Sequence, residues 1–133
     1  LPLVPRAHPL SGAGSVTLAR IADYPLALPP AETTVRQMID IVCSRQGLQL
    51  SAVLISNHAK TVLNFVAHGG GLSVASEIAA RHLVAAGAIV ALPISDAGMD
   101  LRDLEVQTLA GRSLPVAVQA FMDLLKERLP GPW

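Results

Sequence analysis

The chain has 133 residues, 51% hydrophobic and 15% charged, a globular rather than a disordered composition whose length suits one domain or one and a half small lobes. Ten basic residues balance ten acidic ones and no Lys/Arg-rich run occurs, so nothing draws the chain itself toward DNA or anionic lipid. No apolar run reaches the roughly 18 residues of a membrane span, the start lacks a signal-peptide pattern, and the single cysteine, Cys43, excludes an internal disulfide and fits a reducing cytoplasm.

In chain order, short apolar runs alternate with amphipathic ones. Residues 1–5 (LPLVP) read as a strand. Residues 17–22 read as a short helix capped by Ser15 or Thr17. Residues 24–30 (YPLALPP) read as a buried strand closed by two prolines that cannot continue a ladder. Thr34 and Gln37 match a capping box, and Val35, Met38, Ile39 and Val42 follow helical spacing up to Gly47, which suits the position just past a helix end. That register buries Cys43 as an inert thiol. Residues 48–55 form the next strand, and Ser56 or Asn57 caps a helix with the stripe Ala59, Val62, Leu63, Val66. A strand at 71–75, a helix near 76–85 ending at Gly87, and strands at 88–94 and 104–109 follow. Ser113 caps a last helix with Pro115 in its first turn and a buried face of Val118, Phe121, Met122, Leu125 and Leu129. Strands apolar on both faces, alternating with helices, predict an α/β fold with a mainly parallel sheet. The polar segment 95–103 suggests a crossing between lobes.

Several motifs lose their chemistry on inspection. Gly69-Gly70-Gly71 follows a helix and opens a strand, the reverse of a dinucleotide fingerprint, and reads as a flexible helix stop. Ser73 approaches the G-x-S-x-G elbow but falls inside a strand rather than on the sharp turn after one, so it reads as a small packing residue. His8, His58, His68 and His82 have no metal-ligand spacing, and no carboxylate pair stands out.

Ser56-Asn57-His58 differs. These residues leave a strand and enter a helix, which in a parallel sheet is the carboxyl edge where ligands of open α/β folds bind. Free backbone N–H groups there favour carboxylates or phosphates. The residues alone leave two readings open, a plain cap or a cap that also holds a ligand.

Four stretches in order, HPLSGAGSVTLARIADYPLALPP (8–30), VRQMIDIVCSRQGLQLSAVLISN (35–57), VLNFVAHGGGLSVASEIAA (62–80) and the segment from GAIVALPI (87–94) to LEVQTLAGRSLPVAVQAFMDLLKERL (104–129), make the chain resemble the effector-binding domain of LysR-type bacterial transcriptional regulators. The resemblance implies a periplasmic-binding-protein-like fold with one complete α/β lobe (13–94) and a partial second lobe (1–12 and 95–133), joined by crossover segments. It also implies that the helix-turn-helix, the linker helix and the opening β-α-β of the first lobe lie outside this chain, which opens on Leu1 rather than Met. Carried over by position, Ser56 and Asn57 form the effector-contacting turn, and His58 replaces a small residue there. Leu28 and Pro29 line the same cleft, with Gly70 less directly placed and Arg6 and His8 as weaker candidates.

The function so implied is sensing of a small, anionic effector in the inter-lobe cleft. Neither enzymatic chemistry nor a cofactor or metal is implied. Self-association as a dimer or tetramer is expected in the full protein, with DNA reached only through the helix-turn-helix. The alternatives are a stand-alone binding module of the same fold, and an enzyme using Ser73 or His58.

Overall fold

The computed structural model describes residues 1–76, 81, 84, 85, 87–99 and 105–129. The chain divides into two compact units, Leu1–Leu101 and Arg102–Trp133.

The first unit is built on a five-stranded sheet in the order β3-β2-β4-β1-β5. Its strands are β1 (Pro2–Pro5), β2 (Leu26–Leu28), β3 (Ala52–Ile55), β4 (Leu72–Val74) and β5 (Ile89–Ala91). Its fully described helices are α1 (Leu18–Ile21), α2 (Thr34–Arg45) and α3 (Ala59–Ala67), with a 3-10 turn at Pro9–Gly12. The strands at 24–30 and 48–55 are therefore shorter than the apolar runs that mark them. Successive residues of a strand face opposite sides, and β1 shows this directly: Val4 joins a core with Leu18, Ile21, Ile39, Val42 and Cys43, while Leu3 joins one with Leu63, Val66 and Ile89. Helices α1 and α2 thus cover one face of the sheet and α3 the other.

The expected mainly parallel sheet is in fact mixed. β2 runs parallel to β3 and β4, whereas β1 is antiparallel to both β4 and β5. Apolar runs report burial, but strand direction is set by pairings such as Leu3↔Ser73 and Leu3↔Ala91, made far along the chain.

β3 also departs from expectation, because only one of its faces is covered. Val53 and Ile55 remain 64% and 59% exposed. The helix that follows β3 packs mainly on β1, β2 and β4, and these two side chains of the edge strand stay exposed.

The helix ends follow local chemistry closely. Thr17 caps α1 by accepting from Arg20 N–H. Thr33, not Thr34, caps α2, its Oγ1 accepting from Arg36 N–H at 3.3 Å. Both longer helices of this unit end in the same motif. Leu48 N–H and Gly47 N–H donate back to Cys43 and Ser44 carbonyls, and Gly70 N–H and Gly69 N–H donate to Phe65 and Val66. Gly47 and Gly69 adopt φ +64 and +77, the left-handed region that glycine enters without penalty.

Val16 and Ile94 form an isolated parallel bridge, and Asp96 accepts from Leu18 N–H at 2.7 Å and from the Gln46 amide at 2.6 Å, joining α1, α2 and the loop after residue 94. The helix expected near 76–85 falls mostly outside the described residues.

The second unit contains α4 (Val116–Arg128). The strand expected at 104–109 is not formed over Glu105–Leu109, since no described strand of this unit offers the hydrogen-bonding neighbour a strand needs. Pro115 rather than Ser113 stands at the cap of α4, and no side chain completes it. The expected buried face is not buried either. Val118 and Phe121 are exposed, while Met122, Leu125 and Leu129 are half-buried.

Candidate functional site

Strands β3, β2 and β4 are parallel neighbours, so their carboxyl ends lie together. A pocket of about 270 Å³ opens there. Pro29 follows β2, Ser56 and Asn57 follow β3, and Val74, Ala75 and Ser76 close β4. Thr33 and Val35 come from the start of α2, Ala59, Val62 and Leu63 from α3, and Ser73 from within β4. The pocket therefore faces the N-termini of two helices, whose first N–H groups have no intrahelical acceptor and carry the positive end of the helix dipole.

Local hydrogen bonds hold this rim in shape. Ser56 N–H donates to the Leu28 carbonyl at 3.2 Å, extending the β2–β3 ladder by one residue. Ser56 Oγ accepts from His58 N–H at 3.1 Å, tightening the turn into α3. Thr33 Oγ1 donates to the Pro30 carbonyl at 2.7 Å while it caps α2. Arg36 supports the wall from behind, its guanidinium donating to the Pro29 carbonyl and to Asp40 Oδ1 at 3.3 and 2.9 Å. No charged side chain is among the described residues that line the pocket. The site offers hydroxyl, amide and backbone donors over an apolar floor.

Of the residues picked from the sequence, Ser56, Asn57 and Pro29 come together on this pocket. Leu28 points into the core and is fully buried. His58 is the cap residue of α3 but is exposed, outside the lining, with Nδ1 3.0 Å from Thr61 Oγ1. Gly70 lies on a second pocket, of about 280 Å³, with Pro5, His8, Tyr24, Pro25 and Gly71. There His8 Nδ1 accepts from Leu10 N–H, which places the ring proton on Nε2, and its ring meets Tyr24 edge-on at 4.6 Å. Arg6 Nε donates to the Gly87 carbonyl at 2.7 Å.

Thr33 and Ser76 have no place in the sequence-based site, and Ser73, which reads there as a small packing residue, also lines the pocket. Ser76 lies two residues past β4 and Thr33 caps the helix after β2, so the carboxyl-edge rule carried through each strand-to-helix connection would have pointed to them. Ser73 carries no local signal, since its place on the pocket depends on which helix covers β4. Among the described residues, no three His, Cys, Asp or Glu side chains gather closely enough to hold a metal ion, and no helix is long and apolar enough to cross a membrane.

A pocket at the carboxyl edge of parallel strands, beside helix N-termini, is where open α/β folds take small ligands. The chain belongs to the LysR substrate binding domain family, which matches residues 1–130. It is 35% identical over 75 residues to the HTH-type transcriptional regulator cbl of Escherichia coli strain K12, covering 56% of this chain and 24% of that protein. It is 32% identical over 77 residues to the HTH-type transcriptional regulator SsuR of Burkholderia cenocepacia, covering 58% and 25%. The matched region is thus about a quarter of the length of these relatives. The fold is periplasmic-binding-protein-like, similar over 96% of this chain and 61% of the other to the CcmR regulatory domain of Synechocystis PCC6803 in complex with 2-PG, at 20% identity and a TM-score of 0.71.

Proposed function

We propose that the chain is the ligand-sensing part of a LysR-type transcriptional regulator and that it binds a small oxygen-rich anion in the pocket at the ends of β2, β3 and β4. The convergence of three parallel strand ends and the N-termini of α2 and α3 on one pocket, with no charged side chain among its described lining residues, carries this reading. The described lining residues would meet ligand charge with oriented backbone dipoles and neutral donors. Ser56 and Asn57 contact the effector and Pro29 shapes the wall, within an effector-holding lobe of residues 13–94. The 2-PG bound by the CcmR regulatory domain supports small-molecule sensing by this fold.

Binding shifts the population of regulator states and so changes DNA contact by a helix-turn-helix outside this chain, in the cytoplasm where its target lies. The names of both HTH-type relatives support that link. Sensing needs no covalent step, and His58, the nearest imidazole in sequence, stands outside the pocket lining. Titration calorimetry with sulfate and with small dicarboxylates tests the reading. Saturable binding is expected, weakened at least tenfold in Asn57→Ala, because a hydrogen bond to a charged group contributes about 1.5–3 kcal/mol. No binding of any such anion at millimolar concentration would sink it.

The exposed Val53 and Ile55 of β3 support self-association, since an exposed apolar edge strand is a template for another chain. Sedimentation of Val53→Lys then shows a lighter species than the parent chain; identical sedimentation of the two removes this role from β3.

A further inference from the structure

Ser73 is the one buried polar side chain among the described residues, 1% exposed in the middle of β4. Its backbone pairs with Leu3 on one side and Ala27 on the other, and its side chain shares the sheet face of Leu3, Leu63 and Val66. Its Oγ has no hydrogen-bond partner among the described residues. Burial of an unpaired hydroxyl opposes folding, and alanine would carry no such cost. Nothing in the packing of β4 calls for an oxygen at this position. The residue also lines the pocket described above, on its inner side between β4 and α3. Of the other hydroxyls that line it, Thr33 Oγ1 serves Pro30 and Arg36, and Ser56 Oγ serves His58.

We propose that Ser73 is a specificity-determining residue of this pocket, whose hydroxyl donates to the innermost oxygen of the effector, directly or through one trapped water. The inference rests on the small-anion reading above and sharpens it. An anion that carries an acceptor oxygen at its inner end satisfies Ser73, whereas one that ends there in a methyl or other apolar group leaves the hydroxyl orphaned. Selectivity of this kind arises because a buried polar group left unpaired penalises the wrong ligand.

The test uses the 133-residue chain, with sulfate as the probe for calorimetry and thermal unfolding of ligand-free protein alongside. Ser73→Ala removes the hydroxyl, and Ser73→Cys keeps nearly the same volume with a much weaker donor. Both variants are expected to bind sulfate at least tenfold more weakly than the parent. Ligand-free Ser73→Ala is expected to melt roughly 3–5 °C higher, the shift that relief of one orphaned hydroxyl gives a domain of this size. If Asn57→Ala loses sulfate but both Ser73 variants bind it like the parent, Ser73 has no such role and the pocket assignment stands. A lower melting temperature for ligand-free Ser73→Ala shows a hydroxyl engaged by the protein itself and also overturns the proposal. Failure of the parent chain to bind sulfate or dicarboxylates removes the anion reading, and the role of Ser73 falls with it.

Discussion

Helices α2 and α4 look alike in sequence, 12 and 13 residues long with apolar residues at helical spacing, yet they end in different states. α2 buries Ile39, Val42 and Cys43 against β-strand residues such as Leu26, Leu28 and Leu72, whereas α4 buries no residue. Their ends differ as well. α2 has a threonine cap and a glycine-closed terminus, while α4 begins at a proline without a side-chain cap. Periodicity announces that a helix has an apolar side, but burial requires a surface to receive it.

The largest contrast is expected from truncation of the two stripes. Ile39→Ala should cost about 2–5 kcal/mol, because it removes a fully buried side chain and leaves a cavity. Leu124→Ala, at a position 48% exposed, should change stability by no more than about 0.5 kcal/mol. Urea denaturation of the two variants measures both, and equal losses would erase the distinction between the helices. The caps give a smaller version of the same test. Thr33→Ala should cost about 1 kcal/mol, and Ser113→Ala close to nothing, since only Thr33 bonds to a helix N–H.

Cys43 provides the smallest effect and a pH sign. Burial, aided by the nearby charges of Asp40 and Asp96 and opposed by Arg36, pushes its thiol above the ordinary 9.0. The folded chain then holds this proton more tightly than the unfolded one. The stabilisation is complete below pH 9.0 and is lost as pH climbs from there through the raised value. A thiol reagent at neutral pH should therefore modify Cys43 only after denaturant is added, and rapid modification of the native chain would place the residue outside the core.

These contrasts also mark what can be read from the sequence. Gly47, Thr17 and the α2 stripe were legible because each answers to neighbours within a few residues. The pocket was legible at Ser56 and Asn57 for a related reason, since the residue after a parallel strand lies at the ligand edge whatever the rest of the sheet does, while Pro29 was placed by the family resemblance alone. The family resemblance placed the fold where periodicity stopped at α/β. The antiparallel entry of β1 and the exposed side chains of β3 depend on pairings between residues tens of positions apart. The absence of a strand at Glu105–Leu109 depends on a partner that no local pattern can supply. Ser73 reads as an ordinary small strand residue until α3 is laid over it.

The three glycines at 69–71 look like slack in the chain, and the geometry makes them the reverse. A methyl group on Gly70 would come within 2.6 Å of the Phe65 ring, and one on Gly71 would collide with the Pro25 carbonyl. Gly69 is held by its backbone angle, with open space around it. The segment is accordingly a spacer of fixed dimensions. It sets how near the start of β4 comes to the start of β2, and two of its three positions admit no larger residue for want of room while the third admits none easily for want of a compatible backbone. A stretch that reads as a flexible stop therefore resists substitution at each of its three positions.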